Sequence, residues 1–341
     1  MSSNSSANHV ARVPAVSDFA RVFARIQAEL HKTIVGHERA IEELLIAFFA
    51  GGHVLLEGVP GLGKTLLVKA LSHALGLSFK RIQFTPDLMP SDIVGTEVLA
   101  DTSGQREFQF KKGPIFAHVV LADEINRATP KTQSAVLEAM EERQVTIFGE
   151  SHLLASPFIV LATQNPIELE GTYPLPEAQL DRFFFKLLVV PPAPAELREI
   201  LKRTTGAETP DAGRVLPDDN GGLVNAMKQL LRQVMIAPPI EDYVVRLVHA
   251  TQSDGQNGGP ARTSVKQYIR FGSSPRGAQA IVLGAKGNAL VEGRVHVSYE
   301  DVEKITLPAL RHRIILNFQA EAENITADQV IGEVMKQVPR Q

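Results

Sequence analysis

The segment Gly58-Val59-Pro60-Gly61-Leu62-Gly63-Lys64-Thr65 constrains the fold of this chain more than any other. It matches the pattern G-x-x-x-x-G-K-[ST], a loop whose backbone N–H groups surround nucleotide phosphates. The glycines allow the backbone to turn so that these N–H groups converge on an anion. A short apolar strand at residues 53–57 precedes the loop, and a helix-like segment at residues 66–71 follows it. This strand–loop–helix context predicts an α/β fold with a phosphate site at a helix N-terminus.

The loop also predicts how ATP and Mg²⁺ would be bound. We expect the Lys64 ammonium to reach the β- and γ-phosphates of ATP and the Thr65 hydroxyl to bind Mg²⁺. The residues expected to contact the nucleotide here are Gly58, Pro60, Gly61, Leu62, Gly63, Lys64, Thr65 and Leu66.

Length and composition describe an ordinary globular protein. A chain of 341 residues exceeds one compact core, so we expect two packed units. The hydrophobic content is 44% and the formal net charge is −3, which gives no indication of nucleic acid as an obligate partner. The absence of cysteine excludes disulfides and thiolate metal sites.

The N-terminal region gives no sign of membrane targeting. Residues 1–17 are rich in Ser and Asn, and we expect a disordered tail that lacks the apolar segment of a signal peptide. The longest apolar run that follows, residues 44–50, is too short to span a bilayer. We therefore expect a cytoplasmic protein without membrane insertion.

Two buried strands are predicted to end in polar residues. The first, residues 115–122, ends in Asp123 and Glu124, where an unpaired carboxylate would be costly. We predict that Asp123 binds Mg²⁺ and that Glu124 polarises the water that attacks the γ-phosphate. The second strand, residues 157–162, leads to Asn165 at the same edge of the sheet. Asn165 either holds the attacking water or merely caps its strand.

Two arginines are candidates for stabilising a phosphoryl group. Arg182 lies between Asp181 and the apolar strand 183–190, so it is either an ion-pair partner or an arginine finger that acts on another subunit. Arg276 lies in the first turn of a predicted helix, where a cation opposes the helix dipole. A bound γ-phosphate would remove that conflict, and the alternative is a solvated surface arginine.

The order of predicted elements divides the chain into units. Two β-hairpins are expected near residues 96–110 and 144–155, and between them a helix at residues 128–143 with Thr129 as its N-cap. The proline run at residues 191–194 marks a domain boundary. The predicted units are a tail (1–17), an α/β nucleotide-binding domain (18–190), a linker with a connecting helix (191–220) and a helical lid domain (221–341).

With these features the chain resembles the MoxR family of AAA+ ATPases over roughly residues 18–340. The segments that carry the resemblance are Gly58–Thr65, Leu121–Ala128, Ala162–Pro166, Tyr173–Phe183 and Ser274–Gly277. The family implies a P-loop domain with a five-stranded parallel sheet flanked by helices, followed by an all-α lid. It also implies a homo-oligomeric ring, commonly a hexamer, with ATP at each interface.

The resemblance gives further roles to individual residues. It implies that Asn165 is sensor 1, Arg182 the arginine finger and Arg276 sensor 2. Residues Ile34, Val35 and Gly36 would border the adenine. Whether Arg276 acts on its own subunit's nucleotide or on the neighbour's is left open.

The family's activity implies an ATPase that remodels, matures or assembles a protein client. Such proteins often act with a partner that carries a von Willebrand factor A domain. A nucleic-acid motor is one alternative, but it needs a basic pore, and Lys111-Lys112 is the only local hint. A chelatase-type motor subunit that drives metal insertion is another. A small-molecule kinase fits poorly, because the Asp123-Glu124 pair suits hydrolysis.

Overall fold

The computed structural model describes residues 15–102, 105–166, 171–206, 211–217, 219–252 and 266–340. The strands are β1 (Val54–Glu57), β2 (Phe79–Gln83), β3 (Gly95–Thr102), β4 (Gln105–Lys112), β5 (Val119–Asp123), β6 (Gln144–Ile147), β7 (Glu150–Leu153), β8 (Ile159–Gln164), β9 (Phe185–Leu188), β10 (Ile269–Phe271) and β11 (Ile315–Leu316). The helices are α1 (Val16–Thr33), α2 (Glu38–Ala50), α3 (Lys64–Ala74), α4 (Pro90–Val94), α5 (Pro130–Glu142), α6 (Glu177–Leu180), α7 (Pro194–Thr204), α8 (Gly222–Gln233), α9 (Pro238–Ala250), α10 (Pro275–Val291), α11 (Tyr299–Leu310), α12 (Phe318–Ala322) and α13 (Ala327–Gln337).

The predicted five-stranded parallel sheet is confirmed. Its strand order is β2-β5-β8-β1-β9, and every neighbouring pair is parallel. The central strands β5, β8 and β1 are buried on both faces, as parallel sheets require, whereas the edge strands β2 and β9 are partly exposed. The strands therefore end along one edge, where Asp123 lies beside Gln83 and Glu57 lies beside Gln164.

The two faces of the sheet belong to two apolar clusters. Leu56, Val119 and Leu121 pack with α1, α2, α3 and the lid helices. Leu55 and Val120 belong to the second cluster, together with side chains of α5. Because the first cluster includes lid residues, the α/β domain and the lid share one continuous core.

Helix α1 begins at Val16, so the tail predicted for residues 1–17 extends two residues too far. The helix is amphipathic, and its buried stripe is Phe19, Phe23, Ile26 and Leu30. Residues 1–14 lie outside the part of the chain that the structure describes.

Both predicted hairpins are present. Strands β3 and β4 pair antiparallel between α4 and β5, and β6 and β7 pair antiparallel between α5 and β8. The two hairpins meet where the ring of Phe110 stacks on that of His152, with their centroids 4.4 Å apart. The residues Ser103 and Gly104 of the first predicted turn lie outside the described residues.

The lid is helical, but it also contains a short antiparallel pair, β10 with β11, which the all-α prediction omitted. These strands have three and two residues, too few for a period-2 pattern to be visible in the sequence. Asp301 N donates to Ser298 Oγ and Gln329 N donates to Thr326 Oγ1, so that each forms a capping box at a helix start. None of the helices in the described ranges is long and apolar enough to cross a membrane.

Two local predictions were wrong. The strand predicted for residues 115–122 begins only at Val119, because Phe116 N donates to Gly113 O in a turn. Residues 115 and 117 are buried without being strand, and burial alone does not distinguish the two. Helix α5 does start at Pro130 after Thr129, but the Thr129 side chain caps no backbone N–H.

Candidate nucleotide-binding site

The loop between β1 and α3 has the geometry of a phosphate cradle. Gly61 and Gly63 have φ values of +84° and +76°, a region that strains residues with a Cβ. A Cβ added at either glycine would meet none of the described atoms within 4 Å, so both glycines lie beside open space. The first turn of α3 carries no acidic residue and no side-chain cap. Its N–H groups and the helix dipole are therefore available to an anion.

The base of the loop is fixed against the sheet. A Cβ on Gly58 would lie 2.4 Å from the backbone oxygen of Val189, at the end of β9. The Lys64 ammonium donates to Gly58 O at 2.5 Å. Lys64 thus connects the end of the loop to its start, and Gly58 lies close against the backbone that follows β9.

A cavity of about 360 Å³ opens above the loop. It is lined by Pro60, Gly61, Leu62, Gly63, Lys64, Thr65, Leu66, Arg81, Asp123, Glu124, Thr163 and Asn165. The structure therefore brings the predicted phosphate-binding, metal-binding and water-activating residues to one place. Thr65 and Asp123 supply oxygen atoms to this cavity, and oxygen is the ligand that Mg²⁺ prefers.

The Asp123 carboxylate is only 7% exposed and is held by two neighbouring strands. Its Oδ2 accepts from Arg81 Nε at 2.9 Å and from Arg81 Nη2 at 2.6 Å. Its Oδ1 accepts from Thr163 Oγ1 at 2.6 Å. Because both oxygens accept hydrogen bonds, the buried negative charge of Asp123 is compensated.

Glu124 is held beside Asp123 in a left-handed backbone conformation, with φ of 56°. Its backbone N–H donates to Thr163 Oγ1 at 2.8 Å. Its Oε2 accepts from Gln83 Nε2 at 2.7 Å and lies 3.2 Å from Arg127 Nη1. These contacts orient the carboxylate toward the cavity that it lines.

Three residues of this site were not predicted from the sequence, namely Arg81, Gln83 and Thr163. Arg81 and Gln83 are two positions apart on β2, so they project from the same face of a strand adjacent to β5. That alternation was visible in the sequence, but the pairing of β2 with β5 was not. Asn165 follows β8, is 4% exposed and lines the cavity, which agrees with either of its predicted roles.

Arg182 and Arg276 are not among the residues that line this cavity. Instead, both contact the carboxylate of Glu141 near the end of α5. Arg182 Nη2 lies 2.9 Å from Glu141 Oε2, and Arg276 Nη2 lies 2.6 Å from Glu141 Oε1. The structure thus joins the two predicted arginines to each other but separates them from the chain's own P-loop.

Asp181 connects the same arginines to the lid. Its carboxylate accepts from Ser274 Oγ at 2.8 and 2.9 Å and from Arg313 Nε at 2.8 Å, and it lies 3.7 Å from Arg276 Nη1. Burial lowers the pKa of Arg313 to about 10, although the charge of Asp181 opposes that shift.

A second cavity of about 330 Å³ lies where α2, β9 and α7 meet. It is lined by His37, Glu38, Arg39, Ala40, Glu43, Leu188, Val190, Pro191, Glu196 and Arg311. Of the segment predicted to border adenine, Ile34 is buried in the core, and Gly36 lies against the Glu196 carboxylate. Residues 34–36 therefore immediately precede the first residue that lines this cavity, His37, but do not line it themselves.

Comparison with known proteins agrees with this geometry. The sequence profile of the ATPase family associated with various cellular activities (AAA) matches residues 53–185, and that of the AAA lid domain matches residues 261–334. Chaperone MoxR1 of Mycobacterium tuberculosis is 45% identical over 91% of this chain and 80% of its own length. Protein MoxR of Methylorubrum extorquens is 30% identical over 95% of this chain and 96% of its own.

The fold is shared with a solved structure as well. A crystal structure of a proposed ATPase from Cytophaga hutchinsonii superposes with a TM-score of 0.85 at 39% identity, and the match covers 95% of this chain and 96% of that one. The chain thus has both the P-loop domain and the lid, and these relatives are similar to it over most of their length. The chain belongs to the MoxR family of AAA+ ATPases.

Proposed function

We propose that this protein hydrolyses ATP, with Mg²⁺, to remodel a protein client. One observation carries the ATPase part: the P-loop, Asp123, Glu124 and Asn165 line a single cavity, whereas Arg182 and Arg276 are held outside it. This arrangement supports a site that is complete for ATP binding but lacks the two arginines that were predicted to stabilise the transition state.

Each side chain of the cavity has a distinct task. Lys64 and the N–H groups of the loop bind the β- and γ-phosphates. Glu124 orients the attacking water and accepts its proton, and Asn165 holds that water in line. Gln83 and Arg127 both contact Glu124 Oε2, which leaves Oε1 as the oxygen for the water. Mg²⁺ held by Thr65 and Asp123 would neutralise charge on the phosphates.

These two arginines are supplied by a neighbouring copy of the chain. Arg182 and Arg276 lie side by side with 31% and 44% of their side chains exposed, and both are therefore accessible to a second subunit. An arginine supplied by a neighbour is worth orders of magnitude in rate. We propose a closed homo-oligomeric ring, of six subunits as in the family resemblance, in which Arg276 acts on the neighbour's nucleotide.

The client would be engaged by the two hairpins. Phe108 is 73% exposed on β4 and Phe148 is 74% exposed in the turn between β6 and β7. Exposed aromatic side chains on adjoining hairpins suit an unfolded or partly folded polypeptide. A protein with a von Willebrand factor A domain would present the client, and the work would take place in the cytoplasm.

Phosphate release measured against protein concentration tests the ATPase proposal. Activity per subunit is expected to rise as subunits assemble, and Glu124→Gln is expected to bind ATP without hydrolysing it. Arg182→Ala is expected to bind ATP with wild-type affinity and to lose at least about 100-fold in rate. Equal activity per subunit at all concentrations would contradict the shared site.

The client proposal needs a separate assay. Light scattering would follow the aggregation of a chemically unfolded reporter protein with and without ATP. Phe108→Ala and Phe148→Ala are expected to weaken ATP-dependent protection while basal hydrolysis is retained. Phe318→Ala, which removes a phenylalanine that is 82% exposed on the lid, is the matched control and is expected to protect normally. Loss of protection in the Phe318→Ala control alone would refute the proposal that the two hairpins engage the client.

A further inference from the structure

We propose that Glu141 is a positioning residue that regulates the site: it holds Arg182 and Arg276 until the neighbouring subunit's γ-phosphate competes for them. This inference rests on the proposed function, since it presumes that both arginines act between subunits. It adds a contact in which neither the P-loop nor the catalytic carboxylates of the same chain take part.

The geometry of the contact resembles recognition of a phosphoryl group. The two arginines come from different parts of the chain, one before β9 and one at the start of the lid helix α10. Each binds a different oxygen of the same carboxylate, at 2.9 and 2.6 Å. A second bond from Arg182 Nη1 to Leu137 O, at 2.8 Å, aligns that guanidinium along α5. One carboxylate thus gathers both cations in the arrangement that two phosphoryl oxygens would require.

The charge balance explains why a counter-ion is needed. Arg276 lies in the first turn of α10, which contains no acidic residue, so the helix dipole opposes its charge. Asp181 lies 3.7 Å from Arg276 Nη1 but is already paired with Arg313. Among the other described charges, Glu138 and Glu142 line a cavity with Arg182 but form no ion pair with either arginine, and Arg143 is a further cation in a cavity that both arginines line. Glu141 therefore supplies the main compensation, and the more highly charged γ-phosphate would replace it.

The contact is also weak enough to exchange. The Glu141 side chain is 38% exposed, and ion pairs between exposed groups contribute only modestly to stability. A neighbouring subunit can therefore take both arginines without disrupting the fold.

Helix α5 connects Glu141 to the chain's own nucleotide site. The Gln133 side chain is fully buried, and its Nε2 donates to Ile125 O at 3.2 Å and to Ala128 O at 3.1 Å. These carbonyls belong to the segment that follows Asp123 and Glu124. Gln133 therefore connects the helix that carries Glu141 to the segment that follows the catalytic carboxylates.

The test compares Glu141→Gln with Glu138→Gln in the full-length chain, with phosphate release followed against protein concentration. Glu138 is exposed, lies one turn earlier on α5 and lines a small cavity together with Glu141 and Arg182, but it forms no ion pair within the described ranges. Glu141→Gln is expected to lower the concentration for half-maximal activity about fivefold, as loss of two exposed ion pairs implies. Glu138→Gln is expected to behave like wild type.

A double-mutant cycle separates competition from a structural effect. In an Arg276→Ala background, Glu141→Gln is expected to shift the half-maximal concentration less, because one of the two competing contacts is already absent. Identical curves for Glu141→Gln and Glu138→Gln would overturn the proposal, as would a lower maximal rate with an unchanged midpoint.

Subunit mixing distinguishes a failure of the shared-site proposal from a failure of the Glu141 proposal. If mixed Arg182→Ala and Glu124→Gln subunits recover no activity, the arginines do not act between subunits, and both proposals fall. If mixing recovers activity but Glu141→Gln resembles the control, only the role of Glu141 is refuted.

Discussion

Asp181→Asn tests how the fold holds the arginine segment on the lid. The partner of Asp181, Arg313, has a side chain that is only 3% exposed, and its five N–H groups all have acceptors. Nε donates to the Asp181 carboxylate at 2.8 Å, and the other four N–H groups donate to the backbone oxygens of Asp181, Phe183, Phe184 and Ala309. Asparagine keeps one acceptor oxygen for Nε and replaces the other oxygen with an NH₂ group, to which the Ser274 hydroxyl can turn as an acceptor. The main loss is therefore the negative charge.

The cost of this substitution is therefore mainly electrostatic. Opposite charges about 4 Å apart attract by about 4 kcal/mol at an effective dielectric constant of about 20. Part of this is offset because asparagine needs no ionised group to be desolvated. We expect a loss of about 2 to 3 kcal/mol in the free energy of unfolding, because Arg313 keeps its charge in a buried position.

Thermal unfolding followed by circular dichroism, at a protein concentration below assembly, measures this loss. Asp328→Asn is the matched control, because Asp328 binds Arg311 through two bonds at 2.8 and 3.0 Å but is 36% exposed. We expect Asp181→Asn to lower Tm by several degrees, and Asp328→Asn by less than half as much. Equal losses in the two variants would refute the reasoning that burial of Arg313 sets the cost.

Two further predictions concern the P-loop and a half-buried lysine. Gly58→Ala places a methyl group 2.4 Å from Val189 O, and we expect the affinity for a fluorescent ATP analogue to fall at least about tenfold. Gly293→Ala is the control: it lies at a positive φ but has open space around it, so we expect it to bind the analogue normally. Burial and the nearby charges of Arg143 and Arg232 lower the pKa of Lys228 from 10.5 to about 8. The charged lysine therefore destabilises the fold fully below pH 8, and this destabilisation decreases as the pH rises toward 10.5. Lys228→Met should therefore stabilise the fold by about 1 to 2 kcal/mol at pH 7 and by less at pH 9.5 in thermal unfolding, and a gain that did not shrink with pH would contradict this.

The sequence was most informative where chemistry restricts residue type. The P-loop, the carboxylates at the end of β5 and the two hairpins were identified because glycines, paired acids and alternating apolar residues at those positions are each typical of one local structure. The five-stranded parallel sheet followed from the family resemblance. Its strand order did not follow from the sequence, since periodicity alone does not say which strands are neighbours.

What the sequence did not reveal depends on contacts between distant segments. Arg81 and Gln83 became site residues only because β2 pairs with β5. Glu141 is one of several glutamates on an exposed helix face, and nothing in its sequence context sets it apart. Its role depends on Arg182 and Arg276, which reach it from 41 and 135 residues further along the chain. Such convergence is a property of the tertiary fold.

The central claim is that one subunit's arginines complete its neighbour's site, and subunit mixing tests it most directly. Arg182→Ala subunits retain Lys64 and Glu124 but offer no finger, whereas Glu124→Gln subunits offer the finger but cannot activate water. Phosphate release from the two variants mixed in equal amounts should far exceed the sum of their separate rates. A mixture no more active than that sum would contradict the shared site and leave only a nucleotide-binding chain.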